Sequence, residues 1–187
     1  MIENNGKRPA AFIDRDGTLI EEVNFLSSVD DLQVFSYTAE ALKLLKDRGF
    51  WIVVVTNQSG IGRGIYAETD MHAIHEAMQA QLGGAIDAFY FCPHLPDEGC
   101  ECRKPGLGMI NFAQRDLAID LERSWMIGDK RIDVETGQAA GIGSALVLTG
   151  YGLKHLDELL QAPDVVSENL LQAVERIISS EPLAAEV

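Results

Sequence analysis

The stretch WIVVVTNQSG, residues 51–60, decides the class of fold. Its first five residues are β-branched or aromatic, lie just past a glycine and stop at a polar turn, which predicts a buried strand. Outward from it, AAFI (10–13), DAFYF (87–91), SWMI (124–127), SALVL (144–148) and DVV (164–166) repeat the short apolar run. Helical patterns fill the intervals at 38–48, 69–82, 107–117, 133–140 and 168–179; the first is closed by Gly49, and the second carries Met71, Ile74, Met78 and Leu82 on one face. Alternating strands and helices with continuous apolar strands predict an α/β fold, a doubly wound parallel sheet covered on both faces. Ligands then bind beyond the carboxyl ends of the strands, so the residues that follow each strand hold the information about function.

The chain of 187 residues predicts one domain, 1–187, with a core over about 10–180 and solvated tails at 1–8 and 181–187. A net charge of −14 argues against nucleic-acid and anionic-membrane partners, but local cations can still build a cleft for a small phosphorylated substrate. No apolar run approaches the ~20 residues of a membrane helix, and no signal-peptide pattern opens the sequence, so the expectation is a cytoplasmic protein. No apolar surface stripe suggests a dimer, and a monomer is expected.

After the first strand stand Asp14-Arg15-Asp16-Gly17-Thr18. Two carboxylates at a buried strand end repel each other and are costly without a counter-cation. A divalent metal resolves the conflict and lets one carboxylate act as a nucleophile while the other handles a proton. A solvated Asx-turn is the plain alternative. After the second strand, Thr56-Asn57-Gln58-Ser59-Gly60 can offer a hydroxyl and backbone N–H groups to an anion, or be an ordinary βα turn. Gly60, Gly62 and Gly64 lie too far past the strand for a dinucleotide fingerprint, and there is no Walker A sequence.

The third strand leads into Cys92, His94, Cys100 and Cys102, the whole cysteine complement of the chain plus one imidazole. This spacing predicts a closed tetrahedral Zn2+ site, structural because no position is left for a reacting water, that staples the loop 92–102. Arg103 and Lys104 follow at once and suit phosphate, the first as a fork and the second as a point charge. After SWMI comes Gly128-Asp129-Lys130, whose Asp129 would complete a hard oxygen site for Mg2+ with the first pair. Asp133, near the start of the next helix, reads as a cap or as support behind the metal ligands. His72 and His75 sit in a plain helical pattern, His72 solvated and His75 partly in the core.

Taken in order, the Asp14–Thr18, Thr56–Gly60, Lys104 and Gly128–Asp133 motifs resemble those of the haloacid-dehalogenase-like phosphohydrolases, over about residues 10 to 150. Asn24-Phe25-Leu26, TNQSGIGRG (56–64), the Cys/His loop, RKP (103–105) and GDK (128–130) are more specific. They resemble the bacterial D-glycero-D-manno-heptose-1,7-bisphosphate 7-phosphatase branch, in which a second proline usually follows RKP where this chain has Gly106-Leu107-Gly108. The resemblance implies that Asp14 attacks phosphorus and that Asp16 serves as general acid and then base. Mg2+ would sit on Asp14, the Asp16 backbone carbonyl and Asp129, with Thr56 and Lys104 holding the phosphoryl group. The interval between the first two motifs is too short for a large cap domain. Glu22, Val23, Asn24 and Phe25, together with Asn57, Gln58 and Ser59, would shape the substrate cleft. Arg103 and Lys130 would reach the sugar hydroxyls and the second phosphate. The implied substrate is a sugar bisphosphate. Histidinol phosphate is the nearest alternative; a polynucleotide phosphatase lacks a basic track, and a zinc-stapled binding module without activity would not need these motifs intact.

Overall fold

The structure, a computed structural model, describes residues 6–180. Six strands run parallel: β1 (Arg8–Ile13), β2 (Trp51–Asn57), β3 (Ala88–Cys92), β4 (Ile119–Gly128), β5 (Gly143–Val147) and β6 (Val165–Ser167). They lie in the order β3-β2-β1-β4-β5-β6, so the winding reverses between β1 and β4. The helices are α1 (Thr38–Asp47), α2 (Ser59–Gly62), α3 (Glu68–Gln81), α4 (Gly108–Asp116), α5 (Arg131–Ala140), α6 (Gly152–Leu156) and α7 (Leu170–Ser180).

The period-2 alternation of strand side chains explains why the central strands read as unbroken apolar runs. Ala11 and Ile13 of β1 join Ile52 and Val54 of β2 beneath α1, α3 and α7. Ala10 and Phe12 join Val53 and Val55 on the other face, beneath α4. α5 packs on that second face too, where Gly137 lies against Met126 and Ser144. Every residue of 10–13 and 52–55 is fully buried, as a sheet covered on both sides requires. Between β1 and α1 the chain makes only two isolated bridges and a 3-10 turn at Val29–Asp31, with no inserted cap.

Three expectations need correction. Arg8 is not part of a solvated tail: it opens β1, its guanidinium 3.9 Å over the Trp51 ring and donating to the Gly49 and Phe50 carbonyls. The remainder of the N-terminal tail (up to residue 5) and the C-terminal tail lie outside the described residues. The Thr56–Gly60 stretch is not all turn: β2 runs to Asn57, and Ser59 and Gly60 already belong to the short helix α2. β4 begins at Ile119, five residues earlier than SWMI indicates, because its register against β1 shifts between Pro9 and Ala11. The Ser124 side chain fills the resulting gap in the ladder, accepting from the Ala10 N–H at 2.9 Å and donating to the Asp120 carbonyl at 2.6 Å. Ser124→Ala leaves the buried Ala10 N–H unpaired. Urea unfolding of this variant should show a loss of about 1–3 kcal/mol.

Candidate active site

The loops after β1, β2, β4 and β5 meet over the point where the winding reverses. Asp14 is anchored by its N–H to the Ile127 carbonyl of β4 at 2.9 Å. The chain then folds back so tightly that the N–H groups of Thr18, Leu19 and Ile20 all point to the Arg15 carbonyl. Gly17 at φ +81° and Gly150 at φ +53° bring their backbones against Asp129; a Cβ on either would lie 2.3 or 2.2 Å from its Oδ2. That oxygen accepts from the Tyr151 N–H at 2.8 Å, whereas Oδ1 has no hydrogen-bond partner and lies 3.4 Å from the Lys130 ammonium. Asp133 spends one oxygen on the Lys130 N–H at the start of α5 and the other on Lys104 at 2.6 Å.

Lys104 is the buried counter-charge. Its ammonium is 2.9 Å from Asp14 and 2.6 Å from Asp133, and donates to the Val55 carbonyl at 2.8 Å. Asn57 clamps the same residue's backbone from both sides, accepting from its N–H and donating to its carbonyl. Burial opposes ionisation of Asp14, yet Lys104 and Lys130 hold its carboxyl below the usual range. Burial and the neighbouring Asp14 push Asp129 up to about 7 despite Lys130. Burial lifts Asp133 as well, although Lys104 opposes the shift. Ligand oxygens of Asp14, Asp129 and Asp133 all lie within 4.8 Å of one another. With Glu22, four carboxylates face the two ammonium groups of Lys104 and Lys130, a surplus of negative charge of the size a divalent cation neutralises. The unpartnered Asp129 oxygen and this all-oxygen donor set fit Mg2+.

The carboxylates floor a cleft of about 200 Å³. Asp14, Asp16, Glu22, Asn24, Phe25, Thr56, Asn57, Gln58, Ser59, Arg103, Lys104 and Lys130 line it, so the structure gathers almost all of the predicted site. Asp129 and Asp133 lie beneath, fully buried. Val23 is a correction: it is 39% exposed and is not part of the lining, because Asn24 and Phe25 take left-handed φ values of 51° and 66° and turn the loop after it. Lys130 lines the cleft as expected, with its ammonium among Asp14, Asp129 and Glu22. Gln58 has no free amide atom for a ligand, since Oε1 accepts from Arg15 and Tyr66 while Nε2 donates to Asp16 and Thr56. Arg103 lies half-buried at the edge, donating to the His94 carbonyl at 3.2 Å.

Arg15, Tyr66, Ile132 and Tyr151 also line the cleft and were not predicted. The rule that finds Asp14 and Asp129 finds Tyr151 too, four residues past β5; the loop after that strand simply carries no motif. Arg15 and Tyr66 carry no such signal.

At the end of β3, four donors converge: His94 Nδ1 is 3.5 Å from Cys92 Sγ and 3.2 Å from Cys102 Sγ, and the three sulfurs are 3.2–3.6 Å apart. A tetrahedron with metal–sulfur bonds of about 2.3 Å has edges only slightly longer than these. The spacing therefore fits Zn2+ with every position filled by protein.

A HAD-hydrolase-like family model matches residues 101–173. The D-glycero-D-manno-heptose-1,7-bisphosphate 7-phosphatase of Thermosynechococcus vestitus is 39% identical, over 91% of this chain and 95% of its own. The D-glycero-beta-D-manno-heptose-1,7-bisphosphate 7-phosphatase of Yersinia pestis is 43% identical, over 76% of this chain and 81% of its own. Among solved structures, the D,D-heptose 1,7-bisphosphate phosphatase of B. bronchiseptica, complexed with magnesium and phosphate, superposes with a TM-score of 0.84 at 34% identity, covering 92% of this chain and 99% of its own. With the fold, the carboxylate floor and relatives matched over nearly their whole length in agreement, the chain belongs to the D-glycero-D-manno-heptose-1,7-bisphosphate 7-phosphatase family of haloacid-dehalogenase-like hydrolases.

Proposed function

We propose that the protein is a Mg2+-dependent phosphatase that removes the 7-phosphate of D-glycero-D-manno-heptose 1,7-bisphosphate, a step toward nucleotide-activated heptose for surface glycans. The observation that carries the reading is Asp14 at the cleft floor, kept ionised by the buried Lys104 and half-buried Lys130 ammonium groups and followed two residues on by Asp16. An Asp14 oxygen attacks phosphorus as the bond to the sugar oxygen breaks. Asp16, as general acid, delivers a proton to that leaving oxygen. The resulting Asp16 carboxylate then takes a proton from a water whose oxygen attacks the aspartyl phosphate, which frees inorganic phosphate and restores Asp14. Thr56 and Lys104 hold the transferring group, and Lys130 adds charge beside Asp14. Asp14, Asp129 and the Asp16 carbonyl would hold Mg2+, which supplies further positive charge against the phosphoryl oxygens. Asp133 supports this set by fixing Lys104.

Arg103 at the cleft edge suits the second phosphate. A cationic amine finds no counterpart, because the carboxylates lining the cleft are all engaged: Asp14 by Lys104, Asp16 by Arg15 and Glu22 by Lys130. No helix among the described residues is long and apolar enough to cross a membrane. We place the protein in the cytoplasm, where reduced thiols keep a Cys3His zinc site intact, and take it to act as a monomer on this small molecule.

Phosphate release measured with Mg2+ should give a kcat/KM for heptose 1,7-bisphosphate at least about 100-fold above that for histidinol phosphate, which is about 2.7 kcal/mol of differential transition-state binding. A preference for histidinol phosphate overturns the substrate assignment. Stripping zinc with a strong chelator should lower the thermal midpoint before it lowers the turnover of the remaining folded protein. An unchanged midpoint with metal analysis showing the zinc gone contradicts a structural role.

A further inference from the structure

The largest fully buried side chain among the described residues is a charged one, Arg15, 1% exposed and set between Asp14 and Asp16 in sequence. Every one of its donor nitrogens is engaged. Nε and Nη2 fork onto the two oxygens of Asp16 at 3.1 and 2.9 Å, Nη2 also reaches Gln58 Oε1 at 3.0 Å, and Nη1 meets His75 Nε2 at 3.3 Å. A guanidinium has no acceptor, so in that last contact the imidazole nitrogen must carry the lone pair. Burial and the adjacent guanidinium push His75 down to about 3, which keeps the ring neutral and able to accept. Its face is pinned by Phe89, stacked with centroids 4.5 Å apart.

On the other side of Asp16, Gln58 Nε2 donates to Oδ2 at 2.8 Å. The amide cannot flip, because Asp16 only accepts and the Arg15 guanidinium on Oε1 only donates; Thr56 Oγ1, 2.7 Å from Nε2, and the Tyr66 hydroxyl, 2.6 Å from Oε1, complete the set. Burial raises Tyr66 to about 12, so the hydroxyl remains a donor. The ring reaches this position because residue 60 is glycine: a Cβ there would lie 2.1 Å from Tyr66 Cε1.

A buried ion pair of this kind adds little net stability, since desolvation cancels most of the attraction. Apolar side chains would pack the same space at lower cost. What the arrangement does provide is a single rotamer for Asp16, held by three hydrogen bonds from two sides, Arg15 and Gln58, while its carboxylate lines the cleft. We propose that His75, Arg15, Gln58 and Tyr66 form a bracket that sets Asp16 where it can hand a proton to the leaving oxygen and take one from water. They are positioning residues that act through Asp16, and the proposal rests on the proton-transfer role given to Asp16 above. The sequence pattern assigned His75 to the core and gave Arg15 no role; the structure joins them across 60 positions of chain.

The proposal separates two steps that an aryl phosphate distinguishes. p-Nitrophenolate leaves without a proton, so formation of the aspartyl phosphate from p-nitrophenyl phosphate does not need Asp16, whereas its hydrolysis does. The test uses His75→Phe, which keeps the ring stack and removes the acceptor; Tyr66→Phe, which removes one oxygen; His75→Gln, which restores an acceptor near Nε2; and Asp16→Asn as reference. In both Phe variants, single-turnover release of p-nitrophenolate with enzyme in excess should keep its wild-type rate. Steady-state turnover of p-nitrophenyl phosphate and of heptose 1,7-bisphosphate should fall about tenfold, a part of the 10²–10⁴ that acid–base catalysis supplies. His75→Gln should recover most of the loss. The bracket is overturned if the single-turnover rate falls in step with turnover, or if both Phe variants match wild type while Asp16→Asn is crippled. Wild-type turnover by Asp16→Asn would instead remove the role of Asp16, and the bracket with it. Tyr66→Phe decides the matter should His75→Phe not fold.

Discussion

The Lys104 ammonium is the contact on which the rest of the site depends. It sits fully buried between Asp14 and Asp133 at 2.9 and 2.6 Å, where either carboxylate alone would be a costly buried charge. Lys104 in turn is committed to remaining charged: burial opposes its ionisation, but Asp133 and Asp14 outweigh it and raise its affinity for the proton. Removing the ammonium leaves Asp14, just past β1, and Asp133, in the first turn of α5, to repel one another, so the geometry of these two element ends and the charge of a loop residue stabilise each other.

That dependence explains the cysteine-rich loop. Lys104 comes from the irregular stretch between β3 and α4, which lacks regular backbone pairing to hold it. Cys92, His94, Cys100 and Cys102 bring its two ends within 3.2–3.6 Å, and Cys102 is two residues from Lys104. Asn57 completes the delivery by bonding both backbone groups of Lys104, and the Gln58 N–H reaches the Cys92 carbonyl at 2.7 Å. The Cys/His loop, the β2 turn and the carboxylate floor are thus one connected structure. No inserted cap covers it; the cleft wall comes from the 22–26 loop, whose left-handed Asn24 and Phe25 mark local backbone strain of the kind found at ligand sites.

Much of this was legible in the sequence, for identifiable physical reasons. Strands buried on both faces leave unbroken apolar runs, and a parallel sheet puts its ligand at their carboxyl ends, so Asp14, Thr56 and Asp129 could be placed by counting from WIVVV. The convergence of Cys92, His94, Cys100 and Cys102 was legible because thiols and an imidazole at that spacing have few other uses. Pairings made across the fold were not. The residues Asp120-Leu-Glu-Arg that extend β4 look like a polar loop, and only the register shift against Pro9 and Ala11 reveals them as strand. Lys130 reads as a free cation until the fold sets Glu22 beside it, 108 positions away in the chain. Arg15 and His75 show no pattern at all, because a buried polar network follows no period; it is visible only once β1 and α3 lie together.

The account stands on Asp14 as the nucleophile, and trapping its phosphorylated form tests that most directly. Acid quench of the enzyme turning over heptose 1,7-bisphosphate, followed by peptide mass analysis, should find one phosphoryl group on the Asp14 peptide, absent from Asp14→Asn, which should release no phosphate. Phosphoryl transfer to another residue, or full turnover by Asp14→Asn, would contradict the account.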